Sequence, residues 1–188
     1  MTADSQGNDI TTVGIPVTGY IGLGPFGSPF PTPEAGNSAI LTLNPSIRKI
    51  GLLTKDGGPQ FSWEADGDPI EFWQDGYSIP SGLANVTLVV KAAQTDAFVR
   101  EIISGRAPDA NNVVDIDGGG HSTQYILFTE EAFKNGAIRR RGAPNTQVTS
   151  VKEDQNTRGE VLGYELTFKI NRSPSIGNKH FREWLINP

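Results

Sequence analysis

Residues 161–171 alternate without a break. Leu162, Tyr164, Leu166, Phe168 and Ile170 fall on one side, and Gly163, Glu165, Thr167, Lys169 and Asn171 on the other. A period of two is the mark of a strand with one face in a core and one in water. Residues 86–93 repeat the pattern, with Val86, Leu88, Val90 and Ala92 opposed to Thr87, Val89, Lys91 and Ala93. Strands need partners and turns, and 22 glycines with 13 prolines supply the turns. The clearest switch of period comes at residues 95–105. There Thr95 suits an N-cap, Asp96 the positive helix end and Gly105 the residue after the last turn. Phe98, Val99, Ile102 and Ile103 form the apolar stripe of this helix. It is too short to stand alone, so it must pack on a sheet. The expected fold is mainly β, a β-sandwich or split barrel with one short helix packed on the sheet, in a single domain over residues 1–188.

Other strands are expected at residues 17–23, 38–43, 47–54, 61–63, 123–129, 137–141 and 146–152, with weaker alternation at 70–79. Residues 130–135 suit one helical turn, and Gly142-Ala143-Pro144 separates two strands. Residues 22–37 carry four prolines and no regular pattern, so residues 1–37 are expected as a flexible N-terminal arm or long loop. Residues 173–188 are expected as a C-terminal arm.

Composition excludes much chemistry. Without cysteine there is no disulfide and no thiolate site, which fits assembly in a reducing compartment. A formal net charge of −5 lacks the clustered positive charge of a general nucleic-acid binder. No stretch is long and apolar enough to span a bilayer, so no membrane partner is expected. Gly22-Leu23-Gly24-Pro25-Phe26-Gly27 matches a dinucleotide fingerprint in letters, but Pro25 and the prolines after it forbid the helix that fingerprint needs. Residues 115–121 (DIDGGGH) lack the further oxygen ligands of a calcium loop, and His121 and His180 are too few for zinc. Asp66, Asp68, Glu71 and Asp75 offer a carboxylate pair for acid–base work, yet nothing beside them reads as a nucleophile or substrate clamp. No enzyme, cofactor or metal is expected. Phe61, Trp63, Phe72, Trp73 and Tyr77 form an aromatic cluster suited to a core or a subunit interface, or to a sugar platform. Arg139, Arg140 and Arg141 alternate along a strand and so cannot form one flat basic patch; they suit ion pairs with acidic neighbours across an interface.

The run GLLTKDGGPQFSWEADGDPIEFWQDGYSIPSGLANVTLVVKAAQTDAFVREIISG, residues 51–105, resembles the major tail tube protein (major tail subunit) of long-tailed, non-contractile phages of actinobacteria. The likeness extends more loosely to residues 164–184, YELTFKINRSPSIGNKHFREW. It implies a phage tail-tube-like fold, hexameric rings of identical copies stacked into a hollow tube, and transient, non-specific passage of DNA. It also implies partners in the tape measure, tail terminator and tail tip proteins, and a place in the virion tail after assembly in the host bacterial cytoplasm. On that reading Lys55, Asp56, Gln60, Trp63, Glu64, Asp66 and Asp68 suit a ring-stacking loop. Tyr125, Ile126, Leu127 and Phe128, apolar on both faces, suit a subunit interface together with Arg139, Arg140 and Arg141. Thr149, Glu165, Thr167 and Lys169 suit the lumen, where negative charge would keep DNA from sticking. The competing expectation is a carbohydrate-binding β-sandwich module of a virion or secreted protein.

Overall fold

The structure, a computed structural model, describes residues 3–187; residues 1, 2 and 188, at the tips of the two expected arms, lie outside the described residues. Its organising element is β8 (Ile138–Glu153), one unbroken 16-residue strand. Gly142-Ala143-Pro144, expected as a break, lies inside it. Opposite Pro144 the register with β7 (Gln124–Phe133) shifts between Tyr125 and Leu127. This bulge takes up the extra length and lets a residue without an N–H sit in a strand. β7 is itself longer than expected. Residues 130–132 continue the ladder by pairing with Arg140, Arg139 and Ile138, and this pairing overrides the helical leaning of Glu-Glu-Ala.

One margin of β8 pairs with β7, which leads to β1 (Pro16–Pro25) and then β2 (Arg48–Lys49). The other margin is shared. Its first part pairs with β10 (Arg182–Ile186), and its second with β9 (Tyr164–Ile170). β9 leads on to β6 (Leu83–Ala92) and finally β3 (Gln60–Asp66). The protein is thus mainly β, a large antiparallel sheet of 8 strands with short helices. A separate two-stranded hairpin joins β4 (Ile70–Glu71) to β5 (Ser78–Ile79).

The main core lies on one face. Ile21 and Leu23 of β1 share a buried cluster with Leu88 and Val90 of β6, strands at distant places in the sheet order. The sheet therefore bends around its core. Val86, Leu88, Val90 and Ala92 point inward, as do Leu166, Phe168 and Ile170, as their alternation predicts. α2 (Ala97–Ser104) covers this cluster with Val99 and Ile102. Its N-cap is Asp96, one residue beyond the expected Thr95, whose carboxylate accepts from the Val99 N–H at 2.9 Å. Gly105 closes the helix with φ 77°, a left-handed turn that glycine takes without strain.

The arm expectations change most. Residues 22–25 complete β1, and α1 (Pro33–Gly36) forms in the stretch expected to be irregular, with Thr32 as N-cap and proline at the first helical position. The strands expected at 38–43 and 47–54 shrink to β2. Instead Leu41, Leu43 and Ile47 join Phe30, Ile126, Phe128 and Trp184 in a second cluster on the opposite face of the sheet. The C-terminal stretch is likewise tied down, because β10 pairs along β8 and buries Trp184.

Candidate functional site

β3 ends the sheet. It pairs only with β6, so its second margin meets no strand among the described residues. Toward Asp66 and Leu83 the two strands run past the core, and residues 67–82 between them project from the body, folded back through β4 and β5. Trp73 is 97% exposed, Tyr77 70% and Trp63 60%, and Ile70, Phe72, Ile79 and Leu83 are exposed beside them. Five exposed carboxylates are interleaved with these: Glu64, Asp66, Asp68, Glu71 and Asp75. No lysine or arginine occurs between residues 56 and 90. The projection is tied only near its base. The Ser81 hydroxyl donates to the Asp66 carbonyl, Arg172 donates to the Gly82 carbonyl at 2.9 Å, and the Trp63 ring lies 5.8 Å from that of Phe181. Exposed large apolar side chains gathered on one projection mark an interaction surface.

The expected stacking loop is therefore divided. Lys55 and Asp56 lie in a turn held against β6, where the Lys91 N–H donates to the Gly57 carbonyl. Gln60, Trp63, Glu64 and Asp66 belong to β3 itself, and Asp68 lies beyond its far end. A strand of this length separates its two ends by about 20 Å, so these residues do not form one loop. The projecting unit is residues 67–82.

Tyr125, Ile126, Leu127 and Phe128 are all buried within their own chain. Tyr125 and Leu127 face the main core, and Ile126 and Phe128 the second cluster. Their two-sided apolar pattern is thus accounted for by two faces of one subunit. The three arginines also find partners inside the chain: Arg139 with Glu131, Arg140 with Glu130 at 2.6 Å, and Arg141 with Glu183. Arg140 lies opposite in direction to its neighbours, as the alternation requires. Its side chain is 2% exposed and donates to the carbonyls of Gly36, Ser38 and Ala39 as well as to Glu130. Trp184 donates to the Pro33 carbonyl at 3.0 Å and Arg182 to that of Pro31 at 3.2 Å. These donors hold the proline-rich arm on the sheet. In the same environment burial, reinforced by the Glu130 charge, pushes the Tyr20 phenol up to about 12.

Glu165, Thr167 and Lys169 share the outward face of β9, as expected, and Thr149 sits at a bulge in β8, its hydroxyl donating to the Thr167 carbonyl. Glu165 stands between Lys152 and Lys91 across the strands, and Thr167 between Ser150 and Val89. This face is polar and mixed in charge; the net acidity of the chain does not concentrate there. Elsewhere, Gly22 and Gly24 lie in β1, where a Cβ at Gly22 would meet Ile47 at 2.8 Å. His121 places Nε2 2.9 Å from the Ile102 carbonyl near the end of α2, and Asp117 caps its own loop through the Gly119 N–H.

The hairpin's exposure and the Arg140 hub escaped the sequence reading. For the hub, a signal was present: three consecutive arginines in a strand cannot all face water. For the hairpin the signal was the run of six carboxylates without a cation. Compared with protein-family models and with curated proteins, the chain matches none.

Proposed function

We propose that the chain is a non-enzymatic structural subunit whose identical copies form hexameric rings that stack into the hollow tail tube of a long-tailed phage, through which DNA passes. The observation that carries this reading is the projecting hairpin with the unpaired margin of β3 beside it. A strand margin left open and a patch of exposed aromatics on the same side of a subunit both call for a partner. A head-to-tail contact between unlike surfaces closes into a ring or continues as a filament. The resemblance over residues 51–105 covers this same region, and it supplies the tube, the phage and the tape measure, terminator and tip partners. The outward face of β6, β8 and β9, rich in Ser, Thr and Lys–Glu pairs, suits a water-filled lumen that neither grips DNA nor excludes it. On this reading the strands of neighbouring copies join into one barrel.

Negative-stain images of the purified protein at high concentration test the proposal. Rings or hollow rods are expected from the intact chain, and folded subunits without rods from a chain lacking residues 68–79. Monodisperse monomers at every concentration overturn it. The exposed Trp73 and Tyr77 also favour a second reading, a carbohydrate-binding module. That reading requires a monomer or small oligomer with measurable glycan affinity.

A further inference from the structure

The hairpin exposes aromatic side chains among carboxylates, and a second region of the same chain carries a complement to them. Residues 166–182 hold Lys169, Arg172, Lys179 and Arg182 with no acidic residue among them. Beside this segment lies a groove of about 560 Å³, walled by Phe26, Phe30, Pro31, Pro144 and Pro174, with Arg182 as its single ionisable lining residue. The Arg182 guanidinium gives one bond to the Pro31 carbonyl and lies over the Phe30 ring at 5.8 Å. Its remaining donors suit a carboxylate, and the proline and phenylalanine walls suit a flat aromatic side chain. Resting on the assembly reading above, we propose that the hairpin tip of one copy, Phe72, Trp73 and Asp75, seats in this proline-walled groove of a second copy.

Three observations select this groove and this occupant. First, the hairpin does not fill the groove of its own chain: no residue of 67–82 lines it. Second, the larger groove at the other end of β10, about 1090 Å³, is lined by Glu183 and by Arg139, whose charge Glu131 already neutralises. An acidic hairpin finds no unpaired cation there, since Glu183 is likewise held by Arg141. Third, the sign and chemistry match within one chain. The donor surface is acidic and aromatic, the acceptor groove is proline-lined with Arg182 as its cation, and the two are different patches. Contact between unlike patches of identical copies propagates where its rotation does not close, which is what a stack of rings needs.

The absence of cysteine makes a direct test possible. Two single-cysteine chains, Gln74→Cys at the hairpin tip and Ser175→Cys at the groove rim, are mixed under assembly conditions and oxidised. A disulfide between them is necessarily intermolecular. The comparison pair is Gln74→Cys with Val161→Cys, an exposed position outside the groove. Cross-linking to residue 175 is expected to exceed that to residue 161 by about tenfold or more, since docking raises the local concentration. Equal cross-linking to both positions, while images show normal rods, overturns the groove assignment and leaves the assembly reading standing. Unassembled protein, with no cross-link and no rods from the unsubstituted chain, overturns both.

Discussion

Two excursions leave the sheet, and they meet opposite fates. Residues 26–47, between β1 and β2, and residues 67–82, between β3 and β6, are both rich in proline and glycine. The first lies down on its own sheet. Proline-rich chain offers many carbonyls and few N–H groups, so it needs donors from outside. Arg140, Arg182 and Trp184 supply them, and Phe30, Leu41 and Leu43 close over the apolar face between. Among the described residues the second excursion finds only Arg172 as an outside side-chain donor, while its own Ser81 reaches back to Asp66, and it stays exposed. The difference lies less in the excursions than in what the adjacent strands present. One sheet face offers buried cationic and indole donors; the space beside the hairpin offers none, and the hairpin's own carboxylates keep its water.

If that is the distinction, removing the donor should make the first excursion behave like the second. Arg140→Met leaves Glu130 and three carbonyls without their partner, and a loss of about 3–5 kcal/mol is expected for one half of a buried pair. Chemical denaturation measures it, and limited proteolysis should open new cuts within residues 33–43. An unchanged midpoint breaks the comparison. Gly36→Ala is the gentler version. Its Cβ would stand 2.2 Å from the Trp184 ring, so α1 must lift, at about 1–3 kcal/mol. A weaker effect is expected from pH. Burial, then the Arg172 charge, holds the His180 imidazole below its usual 6.5. The folded chain therefore prefers the neutral ring, and this stabilisation is whole above pH 6.5 and fades as pH falls from there through the depressed value. His180→Gln should flatten that part of the stability–pH curve. The smallest effect on stability belongs to Trp73→Ser, within about 0.5 kcal/mol because the side chain touches little of its own chain. The same change should abolish rods in negative stain. A large loss of stability would mean that the hairpin packs at home.

Strands with one wet face were legible, and so was the helix. The inward sets of β6 and β9 and the stripe of α2 follow directly from their periods, because burial on one side leaves a pattern. β8 was not legible as one strand, since Gly142-Ala143-Pro144 reads as a turn until Ile126 and the bulge opposite it are known. The two-sided apolar run at Tyr125–Phe128 was seen but misassigned. A sequence shows that both faces are covered, not whether the cover is a second copy or a returning arm. The arm's anchoring was hidden for the same reason, because Arg140 and the carbonyls it holds lie about a hundred residues apart.

Hydrogen bonding along both margins of β8 has a mechanical consequence. β7 grips one side over most of its length, while β10 and β9 divide the other between them. A pull along this strand loads those three ladders in shear, so their bonds share the force and do not peel one at a time. Stretching a subunit along that direction meets a stiff path, and a sideways tug on β3, with one neighbouring strand among the described residues, meets a softer one.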